Sequence, residues 1–466
     1  MNRAMTHTWA ALGADPETPE RVAYHRVPGL LPSRLPVAEL ARTTVAVCAL
    51  AAAELAAARG GGAVPRVAVD DAAVTAAFHS ERHVTLDGRS GGGFAPLSRF
   101  WRTADGWVRT HANYPHHRDR LLTALGLPAG ADGGAVADAL AGRRAVEVEE
   151  TVYAAGGLAV AVRDADTWAA GQGAPLAGRP VLDLERTGDA PGPAAGVPFA
   201  GASVGAPCAG IRVLDLTRVL AGPVATRTLS LLGADVLRVD APELPESQEA
   251  HDDTGNGKRS TLLDLRRSAD RRTFEELLST ADVVVTGYRP GALDRFGLAP
   301  GALAERRPGL VVARLSAWGG SGPWGGRRGF DSLVQAATGI ALTEGGGSEP
   351  GALPAQALDH GTGYLVAAAV LRALTERHRG GGTWRVEAAL TRTAHLLTHG
   401  TDREDPAPGA SPTAGGGAAP TPRLLERDTP RGRLRYAPSP VSYEGGPRDW
   451  ARPPGRWGAD APRWTT

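Results

Sequence analysis

Short apolar runs with little polar alternation, each followed by a segment of helical spacing, recur through the middle of the chain. Residues 211–216 read as a strand, 221–232 as a helix stopped at Gly233, and 235–239 as a second strand, which together make a βαβ unit. The pattern repeats as strand 261–265, helix 269–280 with Phe274, Leu277 and Leu278 on one face, and strands 283–285 and 311–315. Strands this apolar need cover on both faces. The predicted fold class is therefore α/β: a doubly wound, mostly parallel, Rossmann-like sheet with a smaller α+β domain. No G-x-G-x-x-G follows the first strand, which disfavours a nicotinamide or flavin cofactor.

Upstream the pattern changes. Residues 37–58 are Ala-rich and helical, 101–110 (WRTADGWVRT) make two short runs around Asp105-Gly106, and 116–127 read as a helix ending at Gly-Leu-Pro. The stretch 188–207, rich in Gly, Pro and Ala and nearly uncharged, reads as a linker. From 401 onward no period is visible. The expected organisation is an α+β region over 1–187, a linker over 188–207, the sheet region over 208–400, and an extended Pro/Gly-rich tail over 401–466.

Composition narrows the function classes. A chain of 466 residues with net charge +1 and 42% hydrophobic content predicts a globular enzyme without the electrostatic footprint of a nucleic-acid or membrane partner. The longest apolar run, 45–53, falls short of a bilayer span, and no leader peptide is read at the start. Two cysteines, Cys48 and Cys208, support neither a disulfide framework nor a thiolate metal site, so a cytoplasmic location is expected. The pairs His79/His83 and His395/His399 have i, i+4 spacing but lack H-E-x-x-H, and no metal is expected. G-x-S-x-G and P-loop motifs are absent. Among 51 basic residues a single lysine, Lys258, points to a place wanting a compact ammonium, or to no site at all.

Asp359 stands in the string QALDHGTGY (356–364), between a Pro-containing loop and a long apolar helix. Two readings fit. The carboxylate caps the helix, or the positive helix end keeps it ionised as a nucleophile, with Gly361 and Gly363 admitting a thioester.

Five ordered blocks bear on that choice: RVLDLTRVLAGP at 212–223 with LGADVLRVD at 232–240, GKRS at 257–260, ADVVV at 281–285, YRPGALDRFG at 288–297, and GFDSLVQAATG at 329–339. Together they resemble the class III (CaiB/BaiF) CoA-transferase family. The resemblance implies that Asp359 is the catalytic aspartate. It implies that Val219, Leu220 and Ala221 contact CoA, that Lys258 and Arg259 lie near its phosphates, and that Tyr288 and Arg295 flank its nucleotide. Ala241 and Gly287 depart from the family, which often carries a basic and a polar residue there. The glycine loop Gly91, Gly92 and Gly93 and the segment around 75–185 resemble the family's downstream half placed upstream.

The implied activity is transfer of CoA from an acyl-CoA to a small carboxylic acid through an aspartyl-CoA thioester. The CoA thioester is substrate, with no permanently bound cofactor, and an interlocked homodimer is implied. Two alternatives stand beside it. A 2-methylacyl-CoA racemase pairs aspartate with a histidine that Phe330 replaces here, and a catalytically silent acyl-CoA-binding homologue would suit the rearranged halves.

Overall fold

The computed structural model describes residues 3–192, 203–402 and 422–465. Its main sheet has seven strands: β1 (Leu182–Gly188), β2 (Arg212–Leu216), β3 (Asp235–Asp240), β4 (Arg259–Leu262), β5 (Val283–Thr286), β6 (Val311–Ser316) and β7 (Thr383–Ala389). They lie in the order β4-β3-β2-β5-β6-β7-β1. Every pairing is parallel except β7 with β1, which is antiparallel. The chain thus leaves β2 in both directions, and the crevice at that reversal opens at the carboxyl ends of the strands.

Upstream lie α1 (Val37–Gly60) and α2 (Pro115–Leu125). The crossovers carry α3 (Ala221–Leu231), α4 (Gln248–Thr254), α5 (Ser268–Ser279) and α6 (Pro300–Arg306), and α7 (Asp331–Ala337) and α8 (Ala357–Gly380) precede β7. Alternate strand residues explain the cover. Val213, Val236, Val283 and Val311 face α3, α8 and α1, while Leu214, Leu237, Val284 and Val312 face Phe274, Leu277 and Leu278 of α5 and Leu303 of α6. Both faces are buried, as continuous apolar strands require.

Three boundaries differ from the sequence reading. Strand β4 begins at Arg259 instead of 261, because the polar residues at its start are satisfied by hydrogen-bond partners that a hydropathy pattern does not see. Strand β1 ends at Gly188 and completes the sheet, so the 187/188 boundary cuts an edge pairing. Residues 193–202 of the expected linker lie outside the described residues.

The larger correction concerns α1. It packs along α8, and both are 24-residue helices with nearly every side chain buried, so α1 belongs to the main core. By length and composition α1 could cross a membrane, longer than the 45–53 run suggested, yet here it is enclosed by protein. A separate small core surrounds the antiparallel strands Phe100–Arg102, Trp107–Thr110 and Ala159–Ala161, packed by α2 and the helices Gly133–Ala141 and Ala145–Ala154.

Part of the expected extended tail, 403–421, lies outside the described residues. The rest is not loosely extended. The hairpin Leu425–Thr429/Gly432–Tyr436 joins Thr85–Leu86 and Arg89–Ser90 in a four-stranded sheet. Beyond it, Trp457 Nε1 donates to Asp240 at 2.9 Å, the Ser260 N–H to Asp460 at 2.8 Å, and Trp464 Nε1 to the Leu277 carbonyl at 3.2 Å. This strap covers the β4 edge through Asp460 and is anchored beside it by the two indole hydrogen bonds, which leave no periodic trace in sequence.

Candidate active site

Asp359 lies in the first turn of α8, three residues after Gln356, which offers no side-chain cap. The cap comes from elsewhere. Asp331, the first residue of α7, accepts the backbone N–H groups of Leu358 at 2.9 Å and Asp359 at 3.0 Å on one carboxylate oxygen. Its other oxygen accepts from Gln335, whose carbonyl oxygen takes the Leu353 N–H at 2.9 Å. The buried N-terminal end of a 24-residue helix is thus satisfied by a carboxylate from another element. Asp359 is released from capping, and its oxygens accept no hydrogen bond among the described residues.

The electrostatics follow from this packing. Burial, then the negative charges of Asp331 and Glu81, holds the Asp359 carboxyl well above the usual carboxylate range. Burial also raises Asp331, but three hydrogen bonds favour its ionised form. Asp331 therefore carries the charge, and Asp359 holds the more basic carboxyl. Glu81 reaches this turn from upstream, 3.3 Å from His360 Nε2.

Asp359 faces a cavity of about 510 Å³. Leu216, Asp240, Leu263, Gly287, Tyr288 and Ser316 line it, so it opens at the carboxyl ends of β2 to β6. Val219 and Ala221 stand in its wall. Val219 has φ +70°, a conformation that a β-branched residue adopts only when its surroundings impose it. Leu220 of the same loop turns into the main core instead. Tyr288 and Arg295 both line the cavity, with the Arg295 guanidinium 4.7 Å from the Phe296 ring centroid.

Lys258 and Arg259 are not in this wall. Lys258 is 1% exposed, and its ammonium donates to Asp215 at 3.0 Å, to the Pro223 carbonyl at 2.9 Å and to Thr226. Burial pulls it down to about 8. Arg259 donates to Asp235 at 2.8 Å and to the Arg463 carbonyl. Both residues stand at the amino end of β4, whereas the cavity is at the carboxyl ends, about 13 Å away along a four-residue strand. The lone lysine is a structural ion pair, not a phosphate contact.

The glycines also have other roles. Gly91 packs against Glu249 of α4, and Gly91, Gly92 and Gly93 are not among the residues lining the cavity. A Cβ on Gly363 would meet the Ala221 carbonyl oxygen at 2.6 Å, and one on Gly361 would meet Thr393 at 3.3 Å. These glycines let α8 approach its neighbours and do not open a path for a thioester.

Sequence reasoning missed the upstream wall. His117, in the first turn of the helix read over 116–127, is buried and lines the cavity, edge-on to Phe330 at 5.8 Å. His111 stacks on Phe330 at 3.7 Å. Burial pulls His111 to about 3 and His117 to about 2, so both imidazoles are neutral. The signal was three histidines in the eight residues 111–118, HANYPHHR, preceding no recognisable metal motif.

A carboxyl held basic and uncapped thus opens to a cavity at a strand-order reversal. The model of CoA-transferase family III matches residues 208–422. This region is similar to CoA-transferase family III. A probable fatty acyl-CoA transferase of Mycobacterium tuberculosis is 35% identical over 232 residues, 44% of this chain and 58% of that protein. A formyl-CoA:oxalate CoA-transferase of Streptomyces coelicolor is 33% identical over 184 residues, 37% of this chain and 45% of that one. A solved CaiB/BaiF family protein from Brucella suis is 30% identical, with 42% of this chain and 56% of that chain covered at a TM-score of 0.39. The chain spans about half the length of such relatives, and Asp331 and Asp359 both fall inside the family III region.

Proposed function

We propose that the protein moves CoA from an acyl-CoA to a carboxylic acid with Asp359 as nucleophile. The observation that carries this reading is the division of labour between two aspartates: Asp331 caps the helix, and Asp359 is left free in the cavity. In the proposed sequence the Asp359 carboxylate attacks the thioester carbonyl and the C–S bond breaks. The products are an acyl-aspartyl anhydride and CoA thiolate. The thiolate then attacks the aspartyl carbonyl, releasing the first acid and leaving an aspartyl-CoA thioester. The acceptor carboxylate reverses both steps.

The fold supports this chemistry in three ways. The helix end favours negative charge on Asp359 as the neutral carboxyl gives up its proton. The loop at Val219 and Ala221 lines the path to it, and Tyr288 offers a ring face to adenine at the Rossmann-like strand ends. Asp331 and Gln335 fix the turn, so the nucleophile is positioned before substrate arrives. Transfer in the cytoplasm as a homodimer completes the proposal.

The test is intact-mass analysis after incubation with a panel of acyl-CoAs. A CoA adduct that hydroxylamine removes, mapped to Asp359, is the expected result. Wild-type protein that binds acyl-CoA yet never forms an adduct or exchanges CoA would instead be a silent homologue.

A further inference from the structure

Five consecutive upstream residues, Phe78 to Arg82, each reach across to the part of the chain that carries Asp359, and the proposed transfer steps use none of them. The Phe78 ring stacks on the His360 imidazole at 5.1 Å. His79 Nε2 donates to the Pro354 carbonyl at 3.0 Å, and an Arg82 guanidinium N–H donates to the same oxygen at 2.8 Å. Ser80 donates to Asp253 of α4 at 3.0 Å, a carboxylate that Arg227 of α3 also holds at 2.9 Å. Between these contacts Glu81 takes His360 Nε2 at 3.3 Å. Pro354 stands in the loop before α8 and His360 in its first turn, so the segment closes around the turn that presents Asp359.

His360 is fully buried, and its Nδ1 has no hydrogen-bond partner among the described residues, so Glu81 supplies the hydrogen bond that orients the imidazole. An ionised carboxylate only accepts, which places the proton of this pair on Nε2. Burial pushes the Glu81 carboxyl up, but the hydrogen bond and charge of His360, with Arg82 at 3.7 Å, bring it below its usual value. Glu81 is therefore an anion beside Asp359, and together with Asp331 it opposes a further negative charge there. The other charged or titratable groups around this turn are His79 and His83 of the same segment, Asp253 with Arg227, Arg435 of the C-terminal hairpin, and Arg109, whose charge reaches Asp331.

The chemistry makes use of such an anion. When Asp359 attacks the thioester, its negative charge passes to the thioester oxygen and then, as the C–S bond breaks, to the CoA sulfur, leaving a neutral anhydride at position 359. Charge thus leaves a group flanked by two fixed carboxylates, and the repulsion it felt there is relieved as the new bond forms. We infer that Glu81 is a positioning residue for Asp359, acting through His360, and that residues 78–82 are the clasp by which the upstream unit completes the site. No proton passes through Glu81 or His360 in this role. The inference rests on the transferase reading and extends it beyond the 208–422 region that matches family III.

The test is the pH profile of kcat/KM for CoA exchange by wild type, Glu81→Gln, Glu81→Ala and Glu81→Asp. Both neutral replacements should move the acidic limb downward by about half a pH unit or more, because removing a like charge lets Asp359 ionise at lower pH. Glu81→Ala, which also releases His360, should lose more kcat than Glu81→Gln. Glu81→Asp keeps the charge and should return the limb most of the way to its wild-type position. A limb unmoved in both neutral variants, a limb moved equally by all three, or a wild-type profile without an acidic limb would overturn the role of Glu81. Wild type that exchanges no CoA would instead sink the transferase reading itself. Should one neutral variant melt far below wild type, the other carries the test, since the Glu81 side chain is 33% exposed and both Gln and Ala suit a helix.

Discussion

The carboxylate of Asp331 accepts the backbone N–H of Asp359 at 3.0 Å, across 28 positions of sequence. One aspartate thereby sets both the position and the basicity of another: it fixes the turn, and its charge discourages ionisation of its neighbour.

Replacing Asp331 by Asn tests this coupling. The amide keeps an oxygen for the two N–H groups but removes a negative charge beside Asp359. Since that charge raises Asp359, its removal lets the nucleophile ionise at lower pH, and the acidic limb of kcat/KM should move downward. Asp331→Ala should differ in kind, leaving two buried donors unpaired at a cost of about 1–3 kcal/mol each. A pH–rate profile unmoved by the Asn substitution would mean that Asp359 is not the titrating group.

Asp359→Asn should abolish transfer and the covalent adduct while leaving CoA ester binding near the wild-type value. It should also remove a pH dependence of stability. A carboxyl raised in the folded state is ionised more readily in the unfolded one, so wild-type stability falls as pH rises from about 3.9 toward the folded value. The Asn variant lacks that fall and should melt at higher temperature than wild type at pH 7, with a smaller difference near pH 4. Thermal melts at the two pH values decide the matter.

Much of the sheet was legible because its strands are buried on both faces and announce themselves as apolar runs. The proposed nucleophile drew attention through the string around Asp359. Its partner was not: an aspartate that caps a distant helix has no local signature, and Asp331 read only as part of a block. The same reason hid Glu81, His117 and Arg120, which reach the site from a region whose own pattern suggests an independent unit. Lys258 misled for the opposite reason, since rarity drew attention to a side chain whose work is internal.

That work predicts a stability effect. Lys258→Ala leaves Asp215 buried and unpaired, and breaking such a pair typically costs about 3–5 kcal/mol. The variant should melt at markedly lower temperature, and whatever folds should bind CoA and 3′-dephospho-CoA with the wild-type ratio. Pairing Lys258→Met with Asp215→Leu should recover much of the loss. A selective loss of CoA over dephospho-CoA in stable Lys258→Ala protein would restore the lysine to the phosphate site.

Gly363→Ala distinguishes helix packing from thioester access. In the folded chain the added methyl would sit 2.6 Å from the Ala221 carbonyl oxygen and 2.9 Å from Val224, so α8 and the first turn of α3 must separate. Overpacking of this kind costs about 1–3 kcal/mol. The displaced turn follows Val219, whose positive φ depends on its surroundings, so the loop lining the cavity should shift with it. The expected variant is less stable, with a raised KM for acyl-CoA and a smaller change in kcat, because Asp359 stays fixed by Asp331 one turn earlier. Gly361→Ala meets only Thr393 at 3.3 Å and Thr44 at 3.6 Å and should be milder on both counts. If Gly363 instead served to admit the thioester, Gly363→Ala would lose turnover at unchanged melting temperature, and that pattern in paired melts and kinetics would reject the packing role.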